Sequence, residues 1–279
     1  MTQRLRSARN ATLRTLDRLS LLAPVYRAYE HVRSLRDSED GELDAEGLPV
    51  PPARLRVEVA GTPGLQWFLD SGRQQAGIIR SAAERNGASL ESAGSLLDFG
   101  CGCGRVLRHW VGLEGPAIHG SDFNERLVGW CAANLPFVTA SVNELAPPLR
   151  YDDGQFDLVY AISVFTHLPH DLERAWIDEL SRITAPGGLL LLTTHGDSYA
   201  DRLDADERAT YDSGEPVVRW PGVAGSNLCT TFHPEAYIRT RFAPVLELLE
   251  HTPDGGTVGS RQQDLVVFRK PAPGTAARS

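Results

Sequence analysis

The chain has 279 residues, 42% of them hydrophobic and 23% charged, an ordinary composition for a globular protein with one sizeable core. No apolar run approaches the roughly 18 residues that span a bilayer, and the N-terminal region lacks the uninterrupted apolar stretch of a secretory signal. The net charge of −8 is unevenly placed: residues 1–36 hold eight Arg against Asp17 and Glu30, which leaves −14 on the rest. A body of that sign is a poor partner for a phosphate backbone, so nucleic acid is not expected. Four cysteines, at 101, 103, 131 and 229, have neither the density of a disulfide framework nor the spacing of a zinc site. They read as reduced thiols of a cytoplasmic protein, and no metal is expected.

Residues 1–53 read as a helical arm followed by a linker. Leu13, Leu16 and Leu19, then Val25, Tyr26, Tyr29 and Val32, recur at helical spacing and are interrupted by Pro24, which predicts two short amphipathic helices. The basic, apolar-striped arm suits a homodimer contact or a weak contact with an anionic surface. Residues 37–53, with Asp-Ser-Glu-Asp-Gly and Pro49-Val-Pro-Pro, have linker composition. A further helix is predicted over 63–87, with Trp67, Phe68, Ile78 and Ile79 available for burial.

From Ser95 the pattern alternates. Strand-like runs at 95–100, 117–122, 137–142, 156–164 and 188–195 are interleaved with helical patterns at 104–112, 124–134 and 170–184. That alternation predicts an α/β fold, a doubly wound parallel sheet, within a domain over 54–271. Residues 196–232, with Tyr199, Arg202, Tyr211, Arg219 and Trp220, are too long for a plain connection and read as an acceptor-binding insertion. A helix at 234–241 and strands at 244–251 and 264–269 follow, the strands joined through Pro253-Asp-Gly-Gly as an antiparallel edge hairpin. Residues 272–279 read as a disordered tail.

The first strand runs into Leu-Asp-Phe-Gly-Cys-Gly-Cys-Gly-Arg (97–105), where glycines at 100, 102 and 104 follow Asp98. Dinucleotide binding would want Gly-x-Gly-x-x-Gly, with amides facing a diphosphate. A carboxylate at the strand end repels a diphosphate and suits a ligand that is cationic there, such as S-adenosylmethionine with its sulfonium and α-ammonium groups. Asp122 closes the second strand, placed to accept bonds from two ribose hydroxyls. After the third strand, Asn143 and Glu144 come within reach of an adenine.

These residues resemble the class I S-adenosylmethionine-dependent methyltransferases. The likeness is best at 97–105, Gly-Ser-Asp-Phe (120–123), Phe-Asp-Leu-Val-Tyr-Ala (156–161) and Ala-Pro-Gly-Gly-Leu-Leu-Leu (185–191). Ser-Val-Phe-Thr-His-Leu (163–168) is similar to a bacterial small-molecule branch of that family. The resemblance implies a Rossmann-like seven-stranded sheet of order 3-2-1-4-5-7-6 with the last strand antiparallel, and a helix, here 63–87, folded over the cofactor. It implies cofactor contacts from Asp98, Gly100, Gly102, Asp122 and Asn143, where many relatives carry Asp. Cys101, Phe123, Glu144 and Ser163 lie on the same strand-end loops and complete the expected cofactor-binding set.

Methyl transfer from a sulfonium is an in-line displacement, and a hydroxyl acceptor benefits from a general base. Two histidines follow strands whose ends face the cofactor, His167 and His195. His195, beside the 196–232 insertion, is expected nearer the open mouth and is the first candidate for the base, with His167 holding its loop. Asp152-Asp153-Gly154 reads as a solvated turn, and Gln262-Gln263-Asp264 falls on the same sheet edge as the cofactor loops. The expected activity is methylation of a small-molecule hydroxyl, on a sugar or natural product. An aminopropyltransferase, a nucleic-acid methyltransferase and a non-catalytic S-adenosylmethionine-binding protein stand as alternatives.

Overall fold

Seven of the nine strands among the described residues share one sheet, and its central strands are apolar on both sides. In the computed structural model, which describes residues 3–35, 43–242, 245–256 and 262–272, the strands are β1 (Ser95–Phe99), β2 (Ala117–Asp122), β3 (Val138–Val142), β4 (Phe156–Ala161), β5 (Thr184–Thr194), β6 (Val217–Arg219), β7 (Thr230–Phe232), β8 (Glu247–Thr252) and β9 (Asp264–Arg269). The large sheet has the order β3-β2-β1-β4-β5-β9-β8, with β9 antiparallel to β5 and to β8. This is the predicted 3-2-1-4-5-7-6 arrangement once the separate β6-β7 pair is counted. Leu96, Leu158, Leu189 and Leu191 pack into one core layer, and Leu97, Val159, Leu190 and Leu192 into the other. A sheet covered on both faces needs such continuous apolar runs.

The helices are α1 (Gln3–Arg18), α2 (Leu22–Ser34), α3 (Ala53–Ala60), α4 (Leu65–Arg85), α5 (Glu125–Asn134), α6 (His170–Ile183) and α7 (Ala205–Asp212). The break in the arm falls at Leu19–Leu21, where Ser20 has φ 57°, and not at Pro24. Pro24 sits in the first turn of α2, where a missing N–H costs nothing. In α4, Phe68 and Ile79 are fully buried, but Trp67 is exposed.

Three expectations are corrected. Residues 104–112 do not form an α-helix: Gly104 takes φ 77°, and only a 3-10 turn, Leu107–Trp110, follows. A side chain at Gly104 would meet Leu135 Cδ1 at 2.5 Å, so the loop lies flat against the end of α5. The helix expected at 234–241 is one turn, Glu235–Tyr237, continued by a π-turn, Ile238–Phe242. Residues 43–52, read as linker, pack into the domain. Arg108, wholly buried, donates to Asp44 Oδ2 from Nε (2.8 Å) and Nη2 (2.6 Å), and Leu48 and Val50 are buried. The hairpin is confirmed as β8-β9, while residues 257–261 and the tail from 273 lie outside the described residues. All four cysteines are free and buried.

Candidate active site

The parallel register brings the carboxyl ends of β1, β2, β3 and β4 to one edge, Asp98 lying beside Gly120 on one side and Tyr160 on the other. There the chain after β1 turns through Gly100 (φ 77°) and Gly102 (φ 55°), a left-handed geometry that favours glycine. The same two positions are pressed from outside: a Cβ on Gly100 would lie 2.3 Å from Val164 Cγ2, and one on Gly102 2.7 Å from Val59 Cγ2. The loop is therefore clamped between α3 and the loop after β4. Beside it opens a cleft walled by the ends of β1, β2, β3 and β4, with Asp98, Asp122, Asn143 and Ser163 in its lining.

Asp98 stands on the cleft wall with 2% of its surface exposed. Burial pushes its carboxyl up to about 8, against the pull of the Arg105 guanidinium and the Tyr160 hydroxyl, and the Asp122 carboxyl adds to the push. Tyr160 is oriented in turn by the Trp110 Nε1–H, which donates to its hydroxyl at 2.8 Å. Asp122 accepts from the Gly102 amide at 2.9 Å and the Asn124 amide at 2.8 Å. Burial raises its carboxyl while those amides pull it back. The Phe123 amide adds to that pull, and a carboxylate's remaining lone-pair capacity can accept from a ligand hydroxyl.

All nine sequence-predicted cofactor residues, Asp98, Gly100, Cys101, Gly102, Asp122, Phe123, Asn143, Glu144 and Ser163, line this one cleft. Asn143 is already engaged at both ends of its amide: Oδ1 accepts from Ser121 Oγ at 2.6 Å, and Nδ2 donates to the Glu144 carbonyl at 2.7 Å. Ser163, at φ 62°, turns the chain out of β4 and donates to Gln263 Oε1 at 3.1 Å. Asp264, by contrast, is buried in a pair with His251.

The two histidines are placed oppositely to expectation. His195 is buried and absent from the cleft wall; its Nδ1 donates to the Thr231 carbonyl at 3.1 Å, and its ring lies 4.3 Å from that of Tyr199. Burial and the neighbouring His167 drive its pKa down to about 3. The insertion folds over this ring, because Tyr199, Tyr211, Val217 and Phe232 form a small core of their own. His167 lines the cleft instead. Its Nδ1 is 2.6 Å from the Cys229 carbonyl, which can only accept, so Nδ1 carries the proton and Nε2 the lone pair. Among the described residues Nε2 has no hydrogen-bond partner. Burial lowers the pKa of this imidazole, the carbonyl opposing the shift, and so keeps it neutral.

The sequence reading missed α3. Glu58 and Val59 of that helix roof the cleft, and no residue of α4 lines it, so the helix over the site is 53–60 and not 63–87. Its signals were short but present: Pro52 ahead of the first turn and Gly61 at φ 65° as C-cap. Trp176 of α6, Leu145, Gly225 and Asn227 were also not foreseen. Of the insertion residues named in advance, Arg219 is tied to Glu207 and packs over Phe232, which makes it a brace of the insertion.

Comparison with known proteins decides the family. A model described as a methyltransferase domain matches residues 71–243, more than half of the chain. The chain belongs to the S-adenosylmethionine-dependent methyltransferase family. This methyltransferase is 27% identical over 183 residues to the chloroplastic tocopherol O-methyltransferase of Arabidopsis thaliana, covering 61% of the chain and 49% of that protein. It is 33% identical over 103 residues to the sterol 24-C-methyltransferase ERG6B of Gibberella zeae, covering 34% and 26%. The matched stretch thus spans about half the length of the first relative or less. In fold it is similar to an S-adenosylmethionine dependent methyltransferase from Mesorhizobium loti, with TM-score 0.52, 14% identity, and coverage of 68% and 96%. It is likewise similar to the glycopeptide N-methyltransferase MtfA complexed with S-adenosylmethionine, with TM-score 0.51, 17% identity, and coverage of 72% and 94%.

The donor set of the cleft fits S-adenosylmethionine. Asp98 is a buried carboxyl that a cationic sulfonium or ammonium group would return to its ionised form. Asp122 has lone pairs for a diol, and Phe123 and Leu145 give an apolar wall between Asn143 and Gly225 for a base.

Proposed function

We propose that this methyltransferase methylates a hydroxyl of a small molecule, a sugar or natural product, with His167 as the general base. The observation that carries the reading is the Nδ1–H to Cys229 carbonyl bond, which fixes the tautomer that leaves a basic nitrogen on the cleft wall. S-adenosylmethionine, when bound, supplies an electrophilic methyl group on a cationic sulfur. Asp98 and Asp122 hold and orient it, and Glu58 and Val59 of α3 cover it from above. His167 Nε2 would take the acceptor hydroxyl's proton as the methyl group passes from sulfur to oxygen. The O-methyltransferase among the matched relatives supports oxygen as the acceptor atom, and the −14 body supports a small molecule over nucleic acid.

The test is transfer of isotope-labelled methyl from S-adenosylmethionine to pooled hydroxylated metabolites, with products analysed by mass spectrometry. The reading expects methyl ethers as the labelled products. Label confined to amines or carbons would replace it, and no label in any pool would favour a binding protein without turnover.

A further inference from the structure

A second cavity lies between the α1–α2 arm and the outer side of the roof of the cleft. It shares one wall residue with the cofactor cleft, Asn227. The Nδ2 of that side chain donates to the Glu58 carbonyl at 2.8 Å, so the residue is pinned to α3 at the boundary between the two spaces. Gly61, the left-handed C-cap of α3, and Leu228 form the rest of the inner wall.

The outer wall has two kinds of chemistry. Leu13, Leu22, Val25 and Tyr26 make it apolar, and the rings of Tyr26 and Tyr29 stack with centroids 5.9 Å apart. Among the described residues Arg9 and Arg33 are the only charged ones that line it, and no acidic side chain does. Neither guanidinium has a carboxylate partner among the described residues; Arg33 donates to the Tyr29 hydroxyl at 2.7 Å and lies over that ring. In a chain of net charge −8, most arginines of the folded body find acids, as Arg80, Arg126 and Arg219 do. Two arginines facing an apolar cavity without one form a site for an anion attached to an apolar body.

We propose that this cavity holds the methyl acceptor, and that the acceptor has an apolar, aromatic-stacking body and an anionic group. The anion sits at Arg9 and Arg33, the body lies against Leu13, Leu22 and Tyr26, and the hydroxyl passes Asn227 into the cofactor cleft. The identification as acceptor rests on the function proposed above. The anionic, apolar character of the ligand rests on the cavity alone.

The test uses the full chain and two fluorescent probes of matched shape, the anion 8-anilinonaphthalene-1-sulfonate and the neutral N-phenyl-1-naphthylamine. The expected result is that Arg9→Gln with Arg33→Gln weakens sulfonate binding about tenfold or more, the scale of losing charge-assisted contacts, and neutral-probe binding less than about twofold on the same scale. The cavity-filling Leu13→Trp should weaken both. Sulfonate affinity unchanged in the arginine double variant, or both probes falling together in it, overturns the anion site. Neutral-probe binding unaffected by Leu13→Trp overturns the cavity. Thermal stabilisation by S-adenosylmethionine is measured on the same variants and should persist. If the probes behave as expected and no hydroxyl is ever methylated, the function fails while the ligand class stands.

Discussion

Asp98 is buried for binding and costs the empty protein stability. Its carboxyl is raised from 3.8 to about 8 by burial, so folding favours its protonated form. The stability it allows is intact below pH 3.8 and is lost as pH rises toward 8. Asp98→Asn keeps an acceptor for Tyr160 and removes the charge. It should therefore stabilise the cofactor-free protein at pH 8 by about 1–3 kcal/mol, part of the roughly 1.4 kcal/mol per pKa unit that the shift implies, while lowering S-adenosylmethionine affinity at least about tenfold. Urea unfolding and calorimetry read the two effects. A variant less stable than wild type at pH 8, or one that binds as tightly, contradicts this account of Asp98. The placement of Asp98 and Asp122 on one cleft was legible in the sequence because a carboxylate at the end of a parallel strand is positioned by the strand itself. The choice between His167 and His195 was not. It depends on the Thr230–Phe232 strand, which lays the Thr231 carbonyl on one imidazole and, just before it, the Cys229 carbonyl on the other.

At the scale of elements, the Asp44–Arg108 pair joins a segment that looks like linker to the turn that follows the glycine loop. Arg108 is 0% and the Asp44 side chain 2% exposed, and Arg108 Nη1 has no hydrogen-bond partner among the described residues. Removing the acid leaves a buried cation uncompensated, which costs about 3–5 kcal/mol. Asp44→Asn should lose stability on that scale in urea unfolding, and its cofactor affinity should fall as the loop loosens. A loss under about 0.5 kcal/mol, the range of surface substitutions, would show that residues 43–52 are linker after all. The sheet was legible because strands buried on both faces must be apolar throughout, as Leu189–Leu192 are. Helix α3 was not, since eight residues carrying Arg54 and Arg56 show little amphipathic pattern; Arg56 is wholly buried and donates to the Pro51 and Pro63 carbonyls. The absence of a helix at 104–112 turns on Gly104 meeting Leu135 across the fold, a contact that local propensity does not encode.

Across the whole molecule, the acidic body carries the cofactor cleft, and the basic arm lies against α3, which roofs it. No helix among the described residues is long and apolar enough to cross a membrane. The arm is bound to the body through Leu22, which is buried, and through the Arg14–Asp204 ion pair to α7. The arm pocket and the cofactor cleft, which His167 lines, thus meet at Asn227. The measurement that tests this arrangement most directly is the pH dependence of single-turnover methyl transfer in wild type, His167→Gln and His195→Gln. Because burial lowers the His167 pKa, the wild-type rate should rise with pH through a value below 6.5 and be flat above it. His167→Gln should lose that limb and about 10²–10⁴ in rate, the share of a general base, with S-adenosylmethionine affinity retained, whereas His195→Gln should keep the limb. A His167→Gln enzyme with full rate and the wild-type profile, or a limb lost only in His195→Gln, would contradict it.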